Sequence, residues 1–325
     1  MRFLVPGIAA AFWLAASLAG QGPKIPRTSD GHPDLTGIWS NATITPLERP
    51  AAYKDRPTLS DADAKVFEQR VAREVADTDG KSESPLLAAA GSNGTGGYNV
   101  LFIDQGTELA RVDGVKRTSL IVDPPDGRVP PMSEDARARM QQSFRRGGGA
   151  FDSVKSRPLG ERCLLGFGST SGPPMMPVLY NNNYQIVETP DTIMILVEMV
   201  HDVRTVRMNQ KHLSSDVRKW LGDSVGHWEG DTLVVDTTNF RPEVRFRGSS
   251  ENLRVIERFQ RVDANTILYR ATIDDPTTFT KQWTLEYPFL AAPGPIYEYA
   301  CHEGNYAMED ILGGARRMES TTDKK

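Results

Sequence analysis

Five histidines, two cysteines and a scatter of carboxylates are the side chains through which this chain could act chemically. Cys301-His302-Glu303 runs into Gly304-Asn305-Tyr306, and a bend at Gly304 can bring His302 and Glu303 to one rim. An imidazole beside a carboxylate can shuttle protons near neutral pH. His201 shares period-two parity with Ile193, Ile195, Val197 and Met199. On that reading it faces the apolar side as a general base, a metal ligand or a hydrogen-bonded core residue. Glu257 has the parity of Leu253, Val255 and Phe259 and should point inward. Burial would suit it to acid–base work unless an arginine such as Arg204 or Arg258 pairs with it. Asp223, His227, Glu229 and Asp231 cluster in sequence, but no His-x-His or His-x-x-x-His spacing marks a zinc site. No Gly-x-Ser-x-Gly, Gly-x-Gly-x-x-Gly or phosphate-loop pattern occurs, so neither a hydrolase elbow nor a nucleotide cofactor is expected.

The elements that must hold these residues are mostly strands. Trp220 to Phe240 reads as a hairpin about Glu229-Gly230-Asp231, where glycine permits the turn. Further strands are expected at Tyr184–Val187, Thr192–Met199, Val203–Met208, Leu253–Val262, Thr266–Ile273, Gln282–Phe289 and Tyr297–Cys301. Connections are short, with no helix long enough for a parallel crossover. The fold class is therefore mainly β: an antiparallel meander closing into a barrel or a strongly curved sheet, with an open sandwich as the alternative. Tyr269, Trp283 and Tyr287 would line its inside. Tyr180, Asn183 and Tyr184 would bring phenol and amide groups to the mouth. Trp228 and Asp236 complete the expected ligand-binding set.

Upstream, the sequence implies an extended and helical segment. Ser60 caps a helix through about Ala76, with Phe67, Val71 and Val75 on one stripe, and Ser133 caps a second. Short strands are expected at Val100–Ile103 and Arg117–Val122, and the run Gly91 to Gly97 reads as a loop. Residues 1–19 have one arginine, a long apolar run and a small-residue cleavage pattern, which together read as a signal peptide. Residues 20–150 then form an N-terminal segment packed on a barrel of residues 151–325. An oxidising compartment permits a Cys163–Cys301 disulfide. The net charge of −4, with no long basic run, argues against a nucleic-acid partner. No apolar run in the mature chain is long enough to span a membrane.

Long motifs carry a resemblance. G-D-S-V-G-H-W-E-G-D-T-L-V-V-D-T-T-N-F (222–240), I-D-D-P-T-T-F-T-K-Q-W-T (273–284) and Y-E-Y-A-C-H-E-G-N-Y-A-M-E (297–309) resemble a family of secreted proteins from soil and aquatic bacteria. P-D-L-T-G-I-W (33–39) and S-L-I-V-D-P-P-D-G-R-V-P-P (119–131) do the same. The resemblance implies export and no particular reaction. Gly37-Ile38-Trp39 is similar to the first-strand motif of lipocalin-like barrels. Three readings follow: an exported barrel binding a small, largely apolar or amphipathic molecule, a cofactor-independent acid–base enzyme on the same scaffold, and a structural module of the cell envelope.

Overall fold

The structure, a computed structural model, describes residues 25–77, 104–145, 149–166 and 172–322. The expected signal peptide, the run Gly91 to Gly97 and the strand at Val100–Ile103 lie outside these residues. Thirteen strands form in chain order: β1 (Gly37–Ser40), β2 (Thr58–Leu59), β3 (Arg111–Val112), β4 (Val115–Arg117), β5 (Ile121–Asp123), β6 (Asn183–Glu188), β7 (Thr192–Val197), β8 (Val203–Met208), β9 (Asp223–Glu229), β10 (Thr232–Thr238), β11 (Arg254–Arg261), β12 (Thr266–Asp274) and β13 (Trp283–Ala291). Three α-helices accompany them among the described residues: α1 (Asp61–Asp77), α2 (Glu134–Arg145) and α3 (Ala307–Thr322).

Nine strands close into a barrel in the order β1-β6-β7-β8-β9-β10-β11-β12-β13, and β1 pairs back onto β13. The fold class expected from the strand pattern holds. All pairs in the ring are antiparallel except β8–β9, which is parallel. Residues 209–222 therefore have to return along the outside of the wall before β9 can start. The stave that closes the ring, β1, comes from the N-terminal segment, and β5 adds to the sheet beside β13. The barrel thus draws on residues well before 151.

Period-two alternation selects the inner face. Val255, Glu257 and Phe259 on β11, Ile267, Tyr269, Ala271 and Ile273 on β12, and Trp283, Leu285, Tyr287 and Phe289 on β13 are all fully buried. The register stacks them in layers: Glu257 opposite Ala271 and Ala271 opposite Leu285, then Phe259 opposite Tyr269 and Tyr269 opposite Tyr287. Ring contacts such as Tyr269–Phe289 (4.9 Å) and Tyr269–Tyr287 (5.3 Å) fill the axis. Both ends are stoppered. Leu35 closes the end where β6 finishes, held by Leu35 N–H donating to Glu188 (2.7 Å) and Trp39 Nε1 donating to Leu35 O (2.9 Å). Met175 closes the end where β6 begins.

The remaining elements pack outside. Ser60 Oγ accepts the Asp63 amide at the start of α1, and Ser133 Oγ accepts the Ala136 amide at the start of α2, as the sequence implied. Strands β2, β4 and β3 form a small second sheet beneath α1. Two expectations fail. Tyr297–Cys301 is not a strand: the chain leaves the sheet after Ala291 through Pro293 and Pro295. The helix α3 was not expected from the sequence: Met308, Ile311, Leu312 and Ala315 make a narrow stripe interrupted by Gly313-Gly314.

Candidate functional site

At the centre of the barrel lies a buried ion pair. Arg204 on β8 and Glu257 on β11 face inward with almost no exposure and meet in a two-pronged contact, Nη1 to Oε1 at 2.9 Å and Nη2 to Oε2. Arg204 also donates to Ser224 Oγ (3.1 Å) and Thr237 Oγ1 (3.0 Å), which bond each other at 2.8 Å. Burying two charges requires this degree of satisfaction. Tyr269 donates its hydroxyl to Glu257 Oε1 (2.8 Å). Its oxygen is then free to accept the Met175 amide (3.0 Å). The Met175 carbonyl accepts from Tyr287 Oη and from Asn41 Nδ2 (2.9 Å), and Asn41 Nδ2 also reaches Tyr184 Oη at 3.3 Å. Burial pushes all three phenols well above the usual tyrosine range, so they remain protonated.

The structure therefore brings together Glu257, Tyr184, Tyr269 and Tyr287 among the expected residues. They surround a residue of the protein's own chain rather than an open cavity. Trp283 lies in the same interior between Phe246 (5.9 Å, stacked) and Phe279 (5.8 Å, edge-on). Its indole N–H has no partner. Asn183 is spent on Glu198 (2.8 Å), and Tyr180 packs against the margin of the core. Trp228 is half-buried and carries the His32 ring in a parallel stack at 4.6 Å.

Several expectations are corrected. Asp236 does not face the interior. Leu233, Val235 and Thr237 take the inner face of β10, so Asp236 lies on the outer wall, bonded twice to Arg254 (2.9 and 2.7 Å). His201 is not on a strand. β7 ends at Val197, and the turn that follows puts Val200 at φ 64°, which destroys the parity that placed His201 inside. The His201 side chain lies outside the described residues. His302 and Glu303 are exposed, and neither makes a side-chain hydrogen bond or ion pair among the described residues. The Cys163–Cys301 disulfide is present (Cα–Cα 5.8 Å), with Asn305 Nδ2 3.6 Å from Cys163 Sγ, but it does not bring His302 to Tyr184, whose ring is sealed in the core. No group of three or more His, Cys, Asp or Glu among the described residues is arranged to hold a metal ion.

Three further features escaped the sequence reading. At the Leu35 end, burial raises the Glu188 carboxyl to about 7. The Leu35 amide opposes the shift and the neighbouring Asp34 adds to it. On the outer wall, buried Asp223 gathers Arg207 (2.9 Å), His212 Nδ1 (3.2 Å), the Leu213 amide (3.0 Å) and Lys219 (3.0 Å). Burial alone would raise this carboxyl; the Leu213 amide, Lys219 and His212 outweigh it and hold Asp223 at about 2. This cluster fastens residues 209–222 to the wall.

The third feature is an open cleft of about 640 Å³ between the barrel flank and the chain Gly106–Gly114. Leu290 and Val262, 50% and 45% exposed, contribute apolar surface to it. Thr43, Thr107, Thr266, Arg111, Asp113 and Asp263 supply polar groups. The far wall is fixed: Thr43 Oγ1 donates to Glu108 O (2.9 Å) and the Ala110 amide donates to Thr45 Oγ1 (2.6 Å). A Cβ at Gly106 would come within 3.0 Å of the Ala42 backbone. Only glycine fits there, so the two chain segments stay in register.

No family model, no curated protein and no solved structure matches the chain.

Proposed function

We propose that the protein acts outside the reducing cytoplasm and binds a small amphipathic molecule in the cleft on the barrel flank. One observation carries this reading. The barrel axis is filled, while Leu290 and Val262 stay uncovered within a pre-shaped concavity of ligand size. The apolar part of the molecule would lie on those two side chains and its polar end among the threonines and Asp113. Disulfide use and the apolar stretch in residues 1–19 support export. The test is titration of the exported protein with the lipophilic dye Nile red, alongside native mass spectrometry for retained small molecules. Saturable dye binding lost in Leu290→Asp, with unfolding unchanged, supports the proposal. Binding that ignores Leu290→Asp overturns it.

Glu188 favours a second reading, an acid–base enzyme. A half-buried carboxyl at about 7, beside Asp34, is poised to give or take a proton at neutral pH. Turnover that vanishes in Glu188→Gln but survives in Leu290→Asp would select this reading. His302, Glu303 and His201 have no comparable support.

A further inference from the structure

The seat that Met175 fills is built to read an amide. Its N–H meets an acceptor, Tyr269 Oη, and its C=O meets two donors, Tyr287 Oη and Asn41 Nδ2. The direction of the first bond is imposed from deeper in the barrel. Tyr269 gives its only proton to Glu257, and Arg204 holds Glu257 in place. The side chain in the seat is long, unbranched and polarizable, the type that adapts to an irregular aromatic space. One polar atom beside it is unused: Asn41 Oδ1, on a residue with no exposure, has no hydrogen-bond partner among the described residues. A secondary amide has one N–H, and Met175 has already given its own to Tyr269. A ligand with a second amide N–H would satisfy Asn41 as well.

The segment that brings Met175 in has few hydrogen bonds elsewhere among the described residues; Pro173 and Pro174 are buried, and Met176 and Val178 pack against the core. Residues 172–178 are not a stave of the barrel, and Pro173, Pro174 and Pro177 have no amide proton to donate. Apart from the seat, its hydrogen bonds among the described residues are Met176 N–H to Pro174 O (3.1 Å) and the pair between Val178 and the Asn182 side chain (both 2.9 Å). Gly172, at φ 69°, allows the fold-back; a Cβ there would fall 2.5 Å from Met175 Cγ. A ligand that replaced the bonds to Tyr269, Tyr287 and Asn41 would recover the hydrogen bonds that withdrawal of Met175 loses.

We propose that the barrel interior is a binding site for a small N-acylated amino-acid amide, or a peptide end of that chemistry, with an unbranched apolar side chain. Met175 occupies that site in cis as a stand-in for the ligand. The probe is N-acetyl-L-methioninamide, added to the full-length exported protein while hydrogen exchange over residues 172–178 is followed by mass spectrometry. The expected result is faster exchange of this segment as the probe takes its place. N-acetylmethionine methyl ester, which lacks the second amide, should act more weakly. Met175→Lys, whose charge does not suit the seat, should bind the probe at least roughly tenfold tighter than the wild type, because the internal competitor is gone. Adding Tyr287→Phe to that variant should reverse the gain. Exchange over 172–178 that is indifferent to saturating probe overturns the proposal. If Met175→Lys does not fold, the wild-type exchange result decides alone.

Discussion

Glu257 shows how much a single side chain depends on its neighbours. Its inward position follows from parity, but its chemistry follows from Arg204, Tyr269 and the two hydroxyls that complete the network. Glu257→Gln keeps the volume and strands the Arg204 charge. The expected loss is about 3–5 kcal/mol of unfolding free energy, read by denaturant titration. Replacing both members, Arg204→Met with Glu257→Leu, should cost far less, since no uncompensated charge remains. An unchanged midpoint in Glu257→Gln would show that Arg204 is satisfied without it. The titrations of Glu188 and Asp223 act in opposite senses. Glu188, raised to about 7, holds its proton more tightly folded than unfolded, so its stabilisation is full below about pH 4.5 and fades as pH rises through 7. Discounted for partial exposure, this amounts to roughly 2 kcal/mol, and Glu188→Gln should flatten that limb. Asp223, held at about 2, contributes above its ordinary range and loses that contribution as pH falls toward 2. Stability should therefore peak between the two limbs. A pH profile of thermal midpoints that rises steadily from 5 to 8 would rule out the Glu188 assignment.

At the scale of elements, the informative ones are those that are not strands. The crossover 209–222 exists because β8 and β9 are parallel, and Asp223 and Gly222 fix where it ends. Gly222 sits at φ 72°, and a Cβ there would lie 2.7 Å from Thr238 O. Gly222→Ala should therefore cost more than ~1 kcal/mol, visible as a lowered midpoint with an unchanged circular-dichroism spectrum. The disulfide joins the segment before the Met175 plug to the chain leading into α3, across a sequence separation of 138 residues. In the chain-entropy account, opening so long a loop costs about 5 kcal/mol. Cys163→Ser with Cys301→Ser should lower the midpoint without disturbing the barrel, whose ring includes neither cysteine. Retention of the full midpoint would mean that the loop is held by other contacts.

For the whole molecule, the barrel is a packed scaffold with an open cleft on its flank and chain segments over its ends. No helix among the described residues is long and apolar enough to cross a membrane. If the cleft is the site, ligand should protect the Gly106–Gly114 chain and the neighbouring barrel turn from hydrogen exchange and leave the barrel core unaffected. If the interior is also used, exchange at 172–178 should respond separately, to amides only. The two responses together distinguish a flank binder, an interior reader and a protein that does both.

By itself, the sequence determined what is local or periodic. Alternation placed Tyr269, Trp283, Tyr287 and Glu257 on the inner face, because a strand repeats every two residues whatever surrounds it. Ser60 and Ser133 marked helix starts for the same reason: a cap acts within one turn. Short connections between strands implied a mainly β fold, a barrel or a strongly curved sheet with an open sandwich as the alternative. Tertiary structure decided which strand closes the ring, and Gly37–Ser40 is far in sequence from both of its partners, β6 and β13. It also decided that Met175 fills the space the tyrosines enclose, that Asp236 faces outward and that the His302 side chain is exposed. Each of these depends on contacts between distant segments. Period and spacing carry no information about such contacts, because any loop long enough to reach satisfies the local rules equally well.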